Sequence, residues 1–324
     1  MKRLTASKSV RICWRLVLLV FIIIAATFAG AQTLAKRPSP AKSEVASGQT
    51  QENPDAVSNN NALAEPSGEN SIIAFRSRTP VQSESNAIPR SPINDLIREA
   101  IDRMPQGGDY RASSESVRKL ESAVQTQENH LVVDAAIAKP SFCSSATYLV
   151  FVSVLEKLNE QGQIKFEPGI AEKLLVSGQH DGVGVWGRWN ANGPGTARLF
   201  EESHLGNNFS SIEKAQAGDF LKIFWNDQIG SKEFGHSVVY LGHGPNAEGI
   251  DMVQYWSSNK KGGYGRAEVP RSKIRRMLFS RLTHPENISQ IRELANDEYL
   301  ASMLIRSSTP EEMDRMVGIA GDRR

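Results

Sequence analysis

The chain has 324 residues, with 38 basic against 36 acidic side chains and a formal net charge of +2. So even a balance offers no basic footprint for nucleic acid. Two cysteines exclude a disulfide scaffold, and the length suffices for one domain held by its own core.

In chain order, Lys2, Arg3, Lys8, Arg11 and Arg15 form a basic leader, and residues 16–27 form an apolar run ahead of Ala29-Gly30-Ala31. This pattern is that of a signal peptide over 1–31, cut before Gln32. The run is shorter than the roughly 20 residues of a membrane-spanning helix, so membrane contact is expected only through an uncleaved N-terminal anchor. The expected location is therefore periplasmic or extracellular. Residues 32–88 are rich in Ser, Pro, Asn and Gln and nearly lack aromatic residues; they read as a disordered tether.

An ordered domain is expected over 89–285. Ile93, Leu96, Ile97, Ala100, Ile101 and Met104 recur at helical spacing up to Pro105. A second helix is expected over about 113–126, capped by Ser113 or Ser114. Leu131-Val132-Val133 reads as a strand. A long helix then opens at Cys143 and is apolar nearly all round through Leu158, as a central helix should be. A short helix is expected over 169–176 and a loop over the glycine-rich segment 182–195. Strands follow at 219–225, 236–241, 250–256, 265–269 and 277–282, separated by Gly, Asn and Pro turns. Residues 286–324 read as a C-terminal helical extension, with helices over about 287–305 and 310–318. Helices first and hairpin-linked strands later indicate an α+β domain with an antiparallel sheet.

Cys143 would be the only cysteine left after removal of the leader, which contains Cys13. A helix N-terminus favours a thiolate, because its free N–H groups and dipole stabilise negative charge. The alternative is a packed, inert thiol. A thiol hydrolase also needs an imidazole and a polar group that orients it. Among six histidines, His236 is best placed, at the start of a strand beside a polar loop. For the orienting group, Gln254 on the neighbouring strand is preferred, with Asp251 and Asn259 as alternatives; Asp251 falls on the opposite face of a regular strand. No His-Glu-x-x-His and no paired Cys motif occurs, so no metal and no cofactor are expected.

Cys143-Ser144 at a helix start, Ala217-Gly218-Asp219-Phe220 at a strand entry and Gly235-His236 before an apolar strand ending at Gly242 resemble, in that order, the NlpC-like and CHAP-like cysteine peptidases and amidases. The resemblance spans about residues 131–260. It implies a papain-like fold, with the Cys helix packed on an antiparallel sheet that carries the His. It also implies Cys143 as nucleophile, His236 as base and Gln254 as the third residue. Three departures stand out: Cys143-Ser144-Ser145 replaces the usual Cys-Ser-Gly, Cys143 and His236 lie 93 positions apart, farther than in compact members, and the Trp186-Gly187-Arg188-Trp189-Asn190 segment matches no family motif. The implied activity is cleavage of amide bonds in cell-wall peptides by an exported enzyme. The other readings are a non-catalytic wall-binding module on the same fold and a secreted protease acting on protein. Trp186 and Trp189 on the glycine-rich loop, with Ser144 and Trp256, are the expected substrate contacts, whereas Trp225 reads as packing.

Overall fold

The computed structural model describes residues 91–319. The expected signal peptide and tether, and with them Cys13, lie outside the described residues.

The first helix, α1 (Pro92–Arg103), starts on a proline, whose fixed φ suits the first turn, and buries Ile97, Ala100 and Ile101. The second, α2 (Ser114–Ala123), is capped by the Ser113 hydroxyl, which accepts from the Ser116 N–H at 3.3 Å. It ends earlier than expected because residues 124–127 form β1 (Val124–Gln127), paired antiparallel with β2 (His130–Val133). A β-branched residue at every second position, Val124 and Thr126, suits a pleated strand better than a last helical turn.

At the centre lies α3 (Cys143–Glu160), with thirteen of its eighteen residues buried. Two short helices that the sequence does not announce follow α4 (Ile170–Lys173): α5 (Gly184–Trp189) and α6 (Gly195–Glu202). The segment 182–195 is therefore no open loop. Its glycines serve close approach: a Cβ on Gly187 would collide with the His180 carbonyl, and one on Gly195 with the Arg188 carbonyl. Arg188, only 1% exposed, binds the segment together. Its guanidinium donates to Glu202 at 2.6 Å and to the carbonyls of Gly182, Gly184 and Ala295.

Six strands make one antiparallel sheet in the order β3-β8-β4-β5-β6-β7. They are β3 (Gly206–Phe209), β4 (Phe220–Phe224), β5 (Gly235–Pro245), β6 (Asp251–Asn259), β7 (Gly263–Pro270) and β8 (Arg276–Leu282). On one face Phe220, Val239, Trp256 and Leu282 join the core around α3. On the other, Leu221, Ile223, Val238, Tyr240, Val253 and Phe279 form a second apolar cluster. The alternation along each strand sends successive residues to these two cores. The domain is α+β, as the element order implies.

The Gly218-Asp219 landmark anchors the sheet. The Asp219 carboxylate is fully buried and accepts from Arg281, Asn94 and the Gln216 N–H at 2.7–2.8 Å. After β8 the chain makes 3-10 turns (Pro285–Glu293), then α7 (Glu298–Ser302) and α8 (Pro310–Met316). The continuous helix expected over 287–305 breaks at Asp297. That residue caps the Leu300 N–H at 2.9 Å and pairs with Arg198 at 2.7 Å. Among the described residues no helix is long and apolar enough to cross a membrane.

Candidate active site

Cys143 opens α3 because the chain leading into it is pinned on three sides. Ser141 exchanges backbone hydrogen bonds with the 109–111 segment, donating to the Asp109 carbonyl and accepting from the Arg111 N–H. The Ser141 hydroxyl donates to Ser258 Oγ on β6 at 2.7 Å. The Ser145 hydroxyl accepts from the Phe142 N–H at 3.0 Å and donates to the Phe142 carbonyl at 2.7 Å. Ser145 stands where the resembled family has glycine, and this reciprocal bond gives it a local task at the helix start. The half-buried Cys143 then sits at the first position of the helix, where the first N–H groups lie outside the intrahelical ladder.

His236 comes from β5, directly across from Ile223 of β4. Val239 pairs with Trp256, and continuing that register brings Asn259 opposite His236. The two side chains meet, with His236 Nε2 at 3.2 Å from Asn259 Oδ1. Asn259 is itself oriented, since its amide nitrogen donates to the carbonyls of Ser257 at 3.3 Å and Gly265 at 3.0 Å. Both bonds consume the NH₂ group, so the oxygen is the atom turned to the ring. Nε2 therefore carries the hydrogen and donates it, and Nδ1 is the nitrogen left to accept the thiol proton. Trp225 stacks on the imidazole at 6.5 Å between centroids, and Tyr255 meets it edge-on at 5.7 Å.

The His236 ring lies near enough to the Cys143 thiol to act on it both as a hydrogen-bonding partner and by charge. Burial works against ionisation of the thiol. The His236 hydrogen bond and charge more than offset it, with help from the Ser237 N–H and the Lys222 ammonium, and the thiol is lowered to about 6. Tyr110 also lies close to Cys143. The negative charge of the thiolate and the burial of the phenol both push Tyr110 well above its ordinary range, so it remains a neutral O–H donor beside the sulfur. Such a group of side chains is equipped to present a nucleophilic sulfur near neutral pH and to return a proton to a leaving group.

Gln254 is placed elsewhere. It pairs with Gly242 across an irregularity between Tyr240 and Gly242. Six residues of strand, about 20 Å, separate that position from His236. Asp251 is farther still, opposite Pro245 and 3.7 Å from Arg271. Asn259, the remaining alternative, is the one of the three whose side chain meets His236.

The expected aromatic groove is also corrected. Trp186 and Trp189 are 2% and 1% exposed. They pack behind α3, Trp189 stacked on Phe151 at 4.7 Å and donating from Nε1 to the Ser144 carbonyl and Thr147 Oγ1. Trp256 is buried against Tyr264. Ser144 is buried and donates to Asn190 Oδ1 at 2.5 Å. These four residues support the Cys143 helix and sheet from within. Trp225, read from the sequence as packing, is the tryptophan on the imidazole. Tyr110 was not singled out, and nothing in its surrounding residues marks it.

Among the described residues no group of three or more His, Cys, Asp or Glu side chains is placed to hold a metal ion. Compared with protein-family models, curated proteins and solved structures, the chain matches none.

Proposed function

We propose that this protein is an exported cysteine hydrolase of papain-like architecture that cleaves amide bonds, with Cys143 as nucleophile, His236 as base and acid, and Asn259 as the residue that orients His236. The observation that carries the reading is a thiol at the start of a buried helix, lowered by a neighbouring imidazole whose far nitrogen is held by an oriented amide. Each of the three comes from a different element, and no structural need of the core calls for their meeting.

The chemistry runs as follows. The proton of Cys143 passes to Nδ1 of His236, giving a thiolate and an imidazolium. The sulfur attacks the amide carbonyl carbon, forming a C–S bond and placing the negative charge on the carbonyl oxygen. The Cys143 N–H at the helix start, together with the neutral Tyr110 hydroxyl, supplies donors for that oxyanion. Collapse breaks the C–N bond as the imidazolium protonates the departing amine. Water, deprotonated by His236, then attacks the thioester, releases the acid and regenerates the thiol. Asn259 keeps the ring in the tautomer that both steps need.

Cell-wall peptides are the proposed substrate. This rests on the leader at residues 1–31 and on the motif resemblance over 131–260. The test is incubation of the protein and of its Cys143→Ala variant with purified wall peptides and with casein, with products read by mass spectrometry. Cleavage of the wall peptides by the parent protein alone is expected. Cleavage of casein alone would move the reading to a secreted protease. Equal outcomes for parent and variant would remove the hydrolase assignment in favour of a binding module.

A further inference from the structure

Lys222 lies in the middle of β4, between Phe220 and Phe224, with its side chain 16% exposed. Enclosing an ammonium in an apolar sheet costs several kcal/mol unless it is compensated. Here Glu233, 3% exposed, compensates it at 2.6 Å from Nζ. Glu233 is itself saturated: its second oxygen accepts from the N–H groups of Gly193 at 2.5 Å and Gly230 at 2.9 Å. The buried Asp181 adds a second negative charge facing the ammonium. These acids hold Lys222 charged against the opposing effect of burial.

A salt bridge that only tied loops together could sit anywhere on the sheet. This one sits on the α3 side of the sheet, beside the strand that carries His236. Lys222 is the cross-strand partner of Ser237, whose backbone N–H favours the thiolate of Cys143. Lys222 and Ser237 also line one small cavity of about 10 Å³, together with Thr147 and Trp189. Thr147 is one turn along α3 from Cys143 and donates back to its carbonyl at 3.2 Å. The titratable and charged groups that face Cys143 are thus His236 from β5, Lys222 from β4 and Tyr110 from the segment ahead of α2. Of these, Lys222 is the one that carries a permanent positive charge.

We propose that Lys222 is a positioning residue of the Cys143–His236 site: its ammonium, fixed by Glu233 on the α3 side of the sheet, selects the thiolate–imidazolium form of the pair over the neutral form. The proposal rests on the reactive-cysteine reading given above and deepens it. The cation is held in place by Glu233. It acts through Cys143, and it makes the β4–β5 hairpin part of the machinery.

The experiment is the pH dependence of Cys143 alkylation by iodoacetamide, measured on the parent protein and on folded variants verified by circular dichroism. Lys222→Met alone strands Glu233, so the deciding variant is Lys222→Met combined with Glu233→Gln, which removes both charges. The midpoint of labelling should rise in the double variant, by less than the roughly one to three pH units by which a lone nearby charge moves a titration, because removing Glu233 offsets part of the loss of Lys222. Lys222→Arg should keep the parent midpoint, because it restores the charge. A purely structural cross-link would lower the melting temperature of the double variant and leave its midpoint on that of the parent; that result overturns the proposal. A low midpoint in the parent with an unchanged one in the double variant removes Lys222 alone. An ordinary thiol midpoint in the parent removes the reactive-cysteine reading and Lys222 with it.

Discussion

Replacing His236 by alanine isolates the largest favourable influence on the sulfur. With the ring present, Cys143 is lowered to about 6. Without it, burial opposes ionisation and only the Ser237 N–H and Lys222 act in favour, so the thiol should return to about 9 or above. At pH 6 the parent thiol is about half ionised, while the variant is ionised to about one part in a thousand, a loss of roughly 500-fold in thiolate. The more basic sulfur is also the better nucleophile. With a Brønsted slope of about 0.45 over three units it regains roughly 20-fold, so labelling at pH 6 should slow by about 20-fold net. The sign follows from the direction of the shift: thiolate in the parent is lost only as the pH falls through about 6, and in the variant as it falls through about 9. Iodoacetamide labelling from pH 5 to 10, followed by intact-mass spectrometry, reads both curves. Coincident curves, or a parent curve that rises only above pH 8, would refute the electrostatic account of the site.

Asn259→Ala should lower hydrolysis by about 10- to 100-fold with little change in melting, since it frees the His236 ring without opening the core; Gln254→Ala should leave the rate unaltered, as measured on the same peptide. Trp189→Ala should cost about 3 to 5 kcal/mol in a denaturant titration, because it empties a site packed by Phe151, Phe200 and Phe220. If instead it weakens substrate binding at constant stability, its assignment to the interior is wrong. Ser145→Ala should destabilise the fold by about 1 kcal/mol by stripping the Phe142 N–H of its partner, and equal unfolding midpoints would contradict this.

Long periodic segments were readable in advance. The apolar spacing in α1 and α3 and the alternation in β4 to β8 each reflect a face that must meet a core, and the structure places them within a few residues of expectation. The fold class followed from their order. The segment 182–195 was not readable, because its glycines suggest turns when in fact they permit backbone contact. Its two tryptophans look exposed only as long as the segment is taken for a loop. The choice between Gln254 and Asn259 was also beyond pattern reading. It depends on which residue of β6 lies across from His236, and that register is set by the length of the turn at residues 246–250 and by the irregularity near Leu241. The side-chain period tells which face a residue takes, and leaves its partner across the ladder unspecified. Lys222 reads locally as a surface lysine; its buried partner is Glu233, eleven positions away in the loop ahead of β5.

The guanidinium of Arg188 has a bearing on how the molecule is made. It waits for the carbonyl of Ala295, and its neighbour Arg198 waits for Asp297 and for the carbonyl of Met316. A nascent chain halted before those residues would leave both guanidinium groups with Glu202 but without part of their acceptor set. The centre of the domain therefore closes fully only once the segment from Ala295 to Met316 is present, and a chain cut short ahead of Ala295 would be felt at the heart of the fold rather than at its fringe.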